Sequence, residues 1–247
     1  MLAQLEIHQR AGNDSCVASN GFCPSWIAHN IDRYLHPFWQ HVYLSVIAVV
    51  LGFVIAFALA VLAHNRHWLV GPIIGVTGVL YTLPSIAVFF LLQPITGRGA
   101  FTALIALTAY TLLILFRNIV TGFDNVPAET VDAARGLGFT DRQVLWRVEV
   151  PLAMPEIIAG LRIASTTTVG LATLAFFAGA GGLGGEIFAD ITFKSNVVVA
   201  GALCLLLAIM FDVVLLTAQR IALPWQRAQT AAGPRPRRLW REARVMD

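Results

Sequence analysis

Asp132-Ala133-Ala134-Arg135-Gly136-Leu137-Gly138, followed after nine further residues by Val148-Glu149-Val150-Pro151, is the least apolar stretch in the middle of the chain, and long apolar segments lie on both sides of it. Pro127 and Glu129 suit the first turn of a helix capped by Asp124 or Asn125, and Gly136 and Gly138 suit its end. A second start follows at once. Thr140 and Gln143 have the capping-box spacing, and Val144, Leu145 and Val148 give an apolar face that runs until Pro151. The stretch therefore predicts a helix, a glycine turn and a second short helix.

The surrounding chain has 247 residues, 57% of them hydrophobic and 13% charged, with a mean hydropathy of +0.71, a balance that excludes an ordinary soluble domain. Uncharged apolar runs at 42–63, 70–92, 99–116, 163–185 and 195–211 each approach the roughly 20 residues that a bilayer-spanning helix needs. Five spans are expected, with the end of the last least defined because Asp212 interrupts it.

Basic residues orient the chain. With the segment before residue 42 outside, the inside segments hold Arg66, the five arginines between 117 and 162 and the seven between 220 and 244, thirteen of the 17 basic residues. Arg10, Arg33, Arg98 and Lys194 are the four outside. The positive-inside rule then puts the N-terminus out, and the C-terminus and the Asp132 stretch in the cytoplasm. The net charge of +3 reflects this bias, and the basic tail 224–247 reads as a juxtamembrane segment near anionic lipid rather than a nucleic-acid arm.

The spacing of the central stretch resembles the E-A-A loop of ABC-transporter permeases, in which E-A-A is followed by three residues, G, nine residues, I, one residue and L-P. Asp132 stands for the Glu, Val148 for the Ile and Val150 for the Leu, while Ala133, Ala134, Gly138 and Pro151 are in register. In that family the loop is a coupling helix that docks on a cytoplasmic ATPase. The resemblance assigns coupling to Glu129, Asp132, Ala133, Ala134, Gly138 and Pro151 within a loop of residues 126–151. Two alanines admit close approach, an acid offers a point contact and glycine permits the turn.

Two further strings add to the resemblance. Gly71, Gly75 and Gly78 precede Thr82-Leu83-Pro84-Ser85. The glycines allow close helix packing, and Pro84 frees a carbonyl that a neighbour or water must satisfy, as a packing kink or a pore-side bend. This resembles the T-x-P-S segment of osmoprotectant-type ABC permeases and makes Thr82, Pro84 and Ser85 candidates for the pathway or its gate. Gly179-Ala180-Gly181-Gly182-Leu183-Gly184 is similar to a string in permeases for quaternary-ammonium osmolytes and, more loosely, for methionine. There an acid commonly follows directly, whereas here Gly185 precedes Glu186. No Lys-Ser/Thr follows, so this is not a phosphate loop.

The remaining polar residues divide as follows. Cys16 and Cys23 lie in the outside tail, where a disulfide is permitted, and Cys204 lies in the last span. No apolar signal-peptide core follows Met1, so the first span is expected to direct insertion. Between Trp26 and Gln40, Ile27, Ile31, Leu35, Phe38 and Trp39 recur at helical spacing, predicting an amphipathic surface helix bent at Pro37. His29, His36, His41, His64 and His67 read as solvated or interfacial rather than metal-binding. Arg117 is placed to snorkel, and Glu156 and Arg162 bracket the entry to the fourth span. Ser165 to Thr168 either back-bond to their helix or line a polar path, which makes Thr167 a candidate. Asp212, a carboxylate inside an apolar run, faces a partner helix or the pathway and not lipid. Tryptophans and phenylalanines are scattered at the ends of the apolar runs, with no aromatic cage set by spacing.

The expectation is an all-α membrane protein of about five transmembrane helices with a cytoplasmic coupling helix. Residues 1–41 form an outside tail, 42–223 the permease domain and 224–247 a cytoplasmic tail. The resemblance implies the type I ABC importer permease fold in a bacterial inner membrane and an osmolyte cargo such as glycine betaine, carnitine or choline. It also implies a partner ATPase that holds ATP and Mg, an outside solute-binding protein and a second permease copy, identical or not. No cofactor, metal or catalytic residue is expected in this chain. The rivals are the same machinery with an amino acid such as methionine as cargo, and a membrane scaffold or enzyme that does not transport.

Overall fold

A computed structural model describes residues 15–223, and within them there are helices and turns but no strand. The basic tail 224–247 and the first fourteen residues lie outside the described part. In chain order the helices are α1 (Ser15–Ala18), α2 (Pro24–Asn30), α3 (Leu35–His64), α4 (Val70–Thr82), α5 (Ser85–Thr96), α6 (Ala100–Asp124), α7 (Ala128–Gly136), α8 (Asp141–Val144), α9 (Val150–Ala172), α10 (Leu183–Ala189) and α11 (Lys194–Ala222). Four continuous helical segments are long and apolar enough to cross a membrane, and α4 with α5, bent by 97°, makes a fifth.

The bent pair does carry the chain across the bundle. At one end His64, closing α3, lies beside the ring of Phe123 at 5.4 Å and within 3.0 Å of Glu149. At the other, the Gly99 N–H donates to the Ala178 carbonyl at 2.7 Å. α4 packs Val70, Ile73 and Ile74 on the first cluster, and α5 packs Val88 and Leu92 on the second. One cluster, at the end that carries Asp132, is built on Ala56, Ala60, Leu115, Phe116, Ile119 and Ile157; the opposite cluster is built on Leu44, Ala48, Phe89, Ala106, Leu107 and Ala175.

Small residues let α3 approach α6. Ala48, Gly52, Ala56, Ala60 and Ala63 are all buried, and a Cβ at Gly52 would run into the Thr111 side chain. Gly71, Gly75 and Gly78 differ from the packing expected of them: apart from their own helix backbone and chain neighbours, no atom of the described residues lies within 4 Å of where their Cβ atoms would be. Their face of α4 points out of the bundle, alongside exposed Val76 and Val79.

Several element boundaries depart from the sequence reading. The segment Trp26–Gln40 is not a separate helix bent at Pro37: α2 ends at Asn30, a 3-10 turn spans Ile31–Tyr34, and α3 starts at Leu35, so the segment runs on into the first span. Pro37 sits in the first turn of α3, where its missing N–H leaves no bond unmade. The fourth span begins well before residue 163. Helix is continuous from Asp141 to Ala178, because a π turn at Leu145–Glu149 directly precedes Pro151 and takes up the register that proline would otherwise break. Apolar runs underreport these helices because their last turns leave the apolar layer, as with Arg117 and Asn118 inside α6.

Candidate coupling site and broken span

The helical hairpin between α6 and α9 is built almost entirely from neighbours in sequence. α6 ends at Asp124, and Asn125 is its C-cap rather than the N-cap of the next helix; its side-chain amide instead donates to Glu156 Oε1 at 3.3 Å. Pro127 takes the N-cap position of α7 with extended backbone and no side-chain cap. α7 closes in a Schellman arrangement: the Phe139 N–H donates to the Ala134 carbonyl at 3.2 Å, the Gly138 N–H to the Arg135 carbonyl at 2.9 Å, and Gly138 has φ +86°. That left-handed value explains the glycine. Thr140 then opens α8 with a complete capping box, in which the Thr140 N–H reaches Gln143 Oε1 at 2.9 Å and the Gln143 N–H reaches Thr140 Oγ1 at 3.4 Å.

The side chains on this hairpin divide sharply. Ala134, Val144 and Leu145 are buried and tie α7 to the base of the hairpin. Glu129, Asp132, Ala133 and Gly138 are exposed, and Pro151 is half-buried. Glu129 and Asp132 are three positions apart in α7 and share one of its faces. Arg135 and Asp141 pair across the turn at 3.4 Å, but both are well exposed, so the pair adds little. Leu137, unremarked in the sequence, is 79% exposed at the tip. Its signal was there to find: an apolar residue set between two glycines in a polar loop.

Beneath the hairpin, a cavity of about 660 Å³ opens between the end of α3 and the hairpin, lined by His64, His67, Arg135, Arg142, Trp146 and Glu149 among others. Glu149 is buried and faces His64 Nε2 at 3.0 Å, so the π turn is tied to the end of the first span. No sequence spacing links these two residues.

The pathway candidates fall in two places. Thr82, Pro84 and Ser85 form the break between α4 and α5. Thr82 Oγ1 donates to the Val79 carbonyl at 2.8 Å, Pro84 is the N-cap of α5 and Ser85 is its first residue. Tyr110 Oη, from α6, donates to the Leu83 carbonyl at 2.6 Å, supplying the neighbour that a break in lipid requires. Thr167 is half-buried on α9, between Thr166 and Thr168, which back-bond to the Arg162 and Ala164 carbonyls. Asp212 on α11 has a partner, Arg162 on α9, through bonds of 2.7 and 3.0 Å. The break rests on α6 whereas this ion pair joins α9 to α11.

At the opposite end, the glycine string is a clamp. Gln40 donates to the Ala180 carbonyl at 2.5 Å and accepts from the Gly182 N–H at 3.0 Å. His41 is buried, with Nε2 3.0 Å from the Val169 carbonyl, and so is neither solvated nor interfacial. Glu186 binds Arg33 at 3.0 and 2.6 Å. Cys16 and Cys23 are joined in a disulfide, and the loop it closes is fastened to α11 by Ser195, which accepts from the Cys23 N–H at 2.7 Å and donates to the Gly21 carbonyl at 3.1 Å.

Residues 48–226, which hold the hairpin, the broken span and the glycine clamp, match the binding-protein-dependent transport system inner membrane component family. The chain belongs to that family. Among its relatives, the glycine betaine/carnitine/choline transport system permease protein OpuCB of Bacillus subtilis is 35% identical over 202 residues, covering 81% of this chain and 93% of that protein. The osmoprotectant import permease protein OsmW of Salmonella typhimurium is 37% identical over 193 residues, 75% of this chain and 90% of that protein. In fold, the permease matches the inward-facing MetNI methionine ABC transporter with a TM-score of 0.62 at 20% identity, over 74% of this chain and 95% of that one. It matches an amino acid ABC transporter with a TM-score of 0.63 at 20% identity, over 77% and 96%. The fold is thus that of type I ABC importer permeases, all-α with four to five membrane spans.

Proposed function

We propose that this permease is the transmembrane subunit of an ATP-driven importer for a small osmolyte of the glycine betaine, carnitine or choline kind. The observation that carries the reading is the relationship to osmoprotectant permeases across most of their length, at 35% and 37% identity. ATP and Mg belong to a cytoplasmic ATPase, and a solute-binding protein delivers cargo from outside. The N-terminus is outside, as the distribution of basic residues and the disulfide in the tail both favour. A second permease copy completes the pathway, and the outward-facing glycines of α4 support such a contact.

In this reading the hairpin is the part the motor moves. Glu129, Asp132 and Ala133 present a small acidic face, Leu137 supplies an apolar knob, and Gly138 sets the turn that offers them. α7 packs against α8 and the π turn, where Ala134, Val144 and Leu145 are buried, and helix is unbroken from Asp141 to Ala178. A push on the hairpin is therefore delivered along one rod to the opposite end of the bundle. Thr82, Pro84 and Ser85 mark a break where the second span can hinge as the rod moves. Thr167 lies along the pathway, while the Arg162–Asp212 pair keeps a charge in the bundle neutral.

The test is Gly138→Trp in the assembled complex. A side chain in the left-handed region and a bulky ring on the docking face should leave membrane insertion intact and abolish uptake driven by ATP. Normal uptake of labelled glycine betaine, carnitine and choline in that variant would remove the coupling role, and uptake of methionine instead by the wild type would replace the cargo.

A further inference from the structure

Four phenylalanines that spacing leaves scattered meet at the end of the bundle opposite the Asp132 hairpin. Phe90 of α5 lies 6.0 Å from Phe177, Phe177 lies 5.0 Å from Phe188 of α10, and Phe176 stacks on Phe188 at 5.6 Å with only 9° between the rings. The arrangement is fixed from behind, because Gln93, one turn beyond Phe90, donates to the Phe177 carbonyl at 2.8 Å. Yet the rings are not spent on the core: Phe90 is 53% exposed, Phe176 37% and Phe188 36%.

A cation stands at the edge of this cluster. Arg98 packs on Gly179, two residues past Phe177, where a Cβ would lie 3.5 Å from Arg98 Cβ and Nε. Arg98 is exposed, and among the described residues it forms no ion pair, whereas Arg33, Arg135 and Arg162 each do. Aromatic faces and a carboxylate-ready guanidinium side by side suit one chemistry. A trimethylammonium group has no N–H to donate, so carboxylates and carbonyls cannot hydrogen-bond it, but the negative faces of aromatic rings attract it. A guanidinium is the matching fork for a carboxylate.

We propose that Phe90, Phe176, Phe177 and Phe188, together with Arg98, form a permease subsite for a zwitterion that carries a quaternary ammonium group and a carboxylate. The rings take the ammonium and Arg98 takes the carboxylate. This rests on the osmolyte-importer reading and deepens it, since it separates two of that class: carnitine has both groups, and choline has the ammonium alone.

The experiment uses the full complex with its ATPase and binding protein in liposomes, and measures uptake of labelled carnitine and choline. The binding protein is the same throughout, so any change in preference belongs to the permease. Arg98→Gln should lower the carnitine-to-choline uptake ratio about tenfold, the size of a lost charge-assisted contact. Phe176→Leu and Phe90→Leu keep apolar area but lose the ring face, and should lower uptake of both solutes about fivefold; Phe176→Tyr should restore it. An unchanged ratio in Arg98→Gln overturns the subsite. So does wild-type uptake in both leucine variants, which would set the rings against lipid or a second copy. If the wild-type complex moves none of glycine betaine, carnitine and choline, the importer reading fails first and takes this inference with it.

Discussion

The two ends of the permease are held together in different ways. At the end with the disulfide and the glycine clamp, the side chains of Arg33, Tyr34, Gln40, His41 and Ser195 make bonds between residues 128 to 172 positions apart. At the hairpin end, the capping box, the Schellman turn and the Arg135–Asp141 pair join residues three to six positions apart. The first end is stitched across the whole chain, whereas the turn and caps of the second are made by neighbours in sequence. That contrast fits the proposed division of labour. A surface that a motor displaces as a body needs internal shape but few ties to its surroundings, whereas the far end must register several helices against one another.

The largest effect that would test this contrast is expected at Gly184. A Cβ there would run into the backbone of Thr173, which belongs to the 3-10 turn that ends the fourth span. Backbone cannot swing aside as a side-chain tip can, so Gly184→Val should cost about 3 kcal/mol and sharply lower the yield of folded permease. A thermal midpoint in detergent equal to wild type would mean that this end is as loose as the hairpin. A smaller loss is expected for Tyr34→Phe. Tyr34 Oη donates to Asn196 Oδ1 at 2.6 Å in a buried site, and its removal strands that acceptor at a cost of about 2 kcal/mol. The same midpoint measures it, and no change would show that the stitching contributes nothing net.

Sequence-based reading succeeded where structure is local and failed where a distant residue decides. Thr140 and Gln143 reveal their capping box because both partners lie within one turn, and Gly138 reveals the turn because its backbone conformation disfavours other residues. Pro84 marks a break in the second span, but the 97° bend rests on Tyr110, twenty-seven positions from Leu83. Pro151 looks like a stop, and helix nonetheless runs through it, because the π turn that accommodates it leaves no mark in composition or spacing. Asp212 was legible as a charge that needs company; that the company is Arg162, fifty positions away, was not. The same holds for the phenylalanines, whose meeting depends on α5, the 3-10 turn and α10 arriving at one place.

The smallest effect sharpens the contrast from the hairpin side. Thr140→Ala removes the side-chain half of the capping box, the Oγ1 that accepts from the Gln143 N–H three positions on, and keeps the half that the Thr140 backbone N–H donates; loss of such a cap costs about 1 kcal/mol locally. If the hairpin is a self-contained unit, this loss should stay within it. Hydrogen exchange of the Asp141–Val144 amides should speed up about fivefold, the factor that corresponds to that energy, while amides of α3 and α11 and the thermal midpoint of the whole permease hold their wild-type values. Beyond the cap, on the π turn, Glu149 ties the hairpin's base to His64 at the end of the first span. A Thr140→Ala midpoint that falls as far as that of Tyr34→Phe would show that the disturbance crosses that tie, and that the hairpin unfolds with the bundle rather than ahead of it.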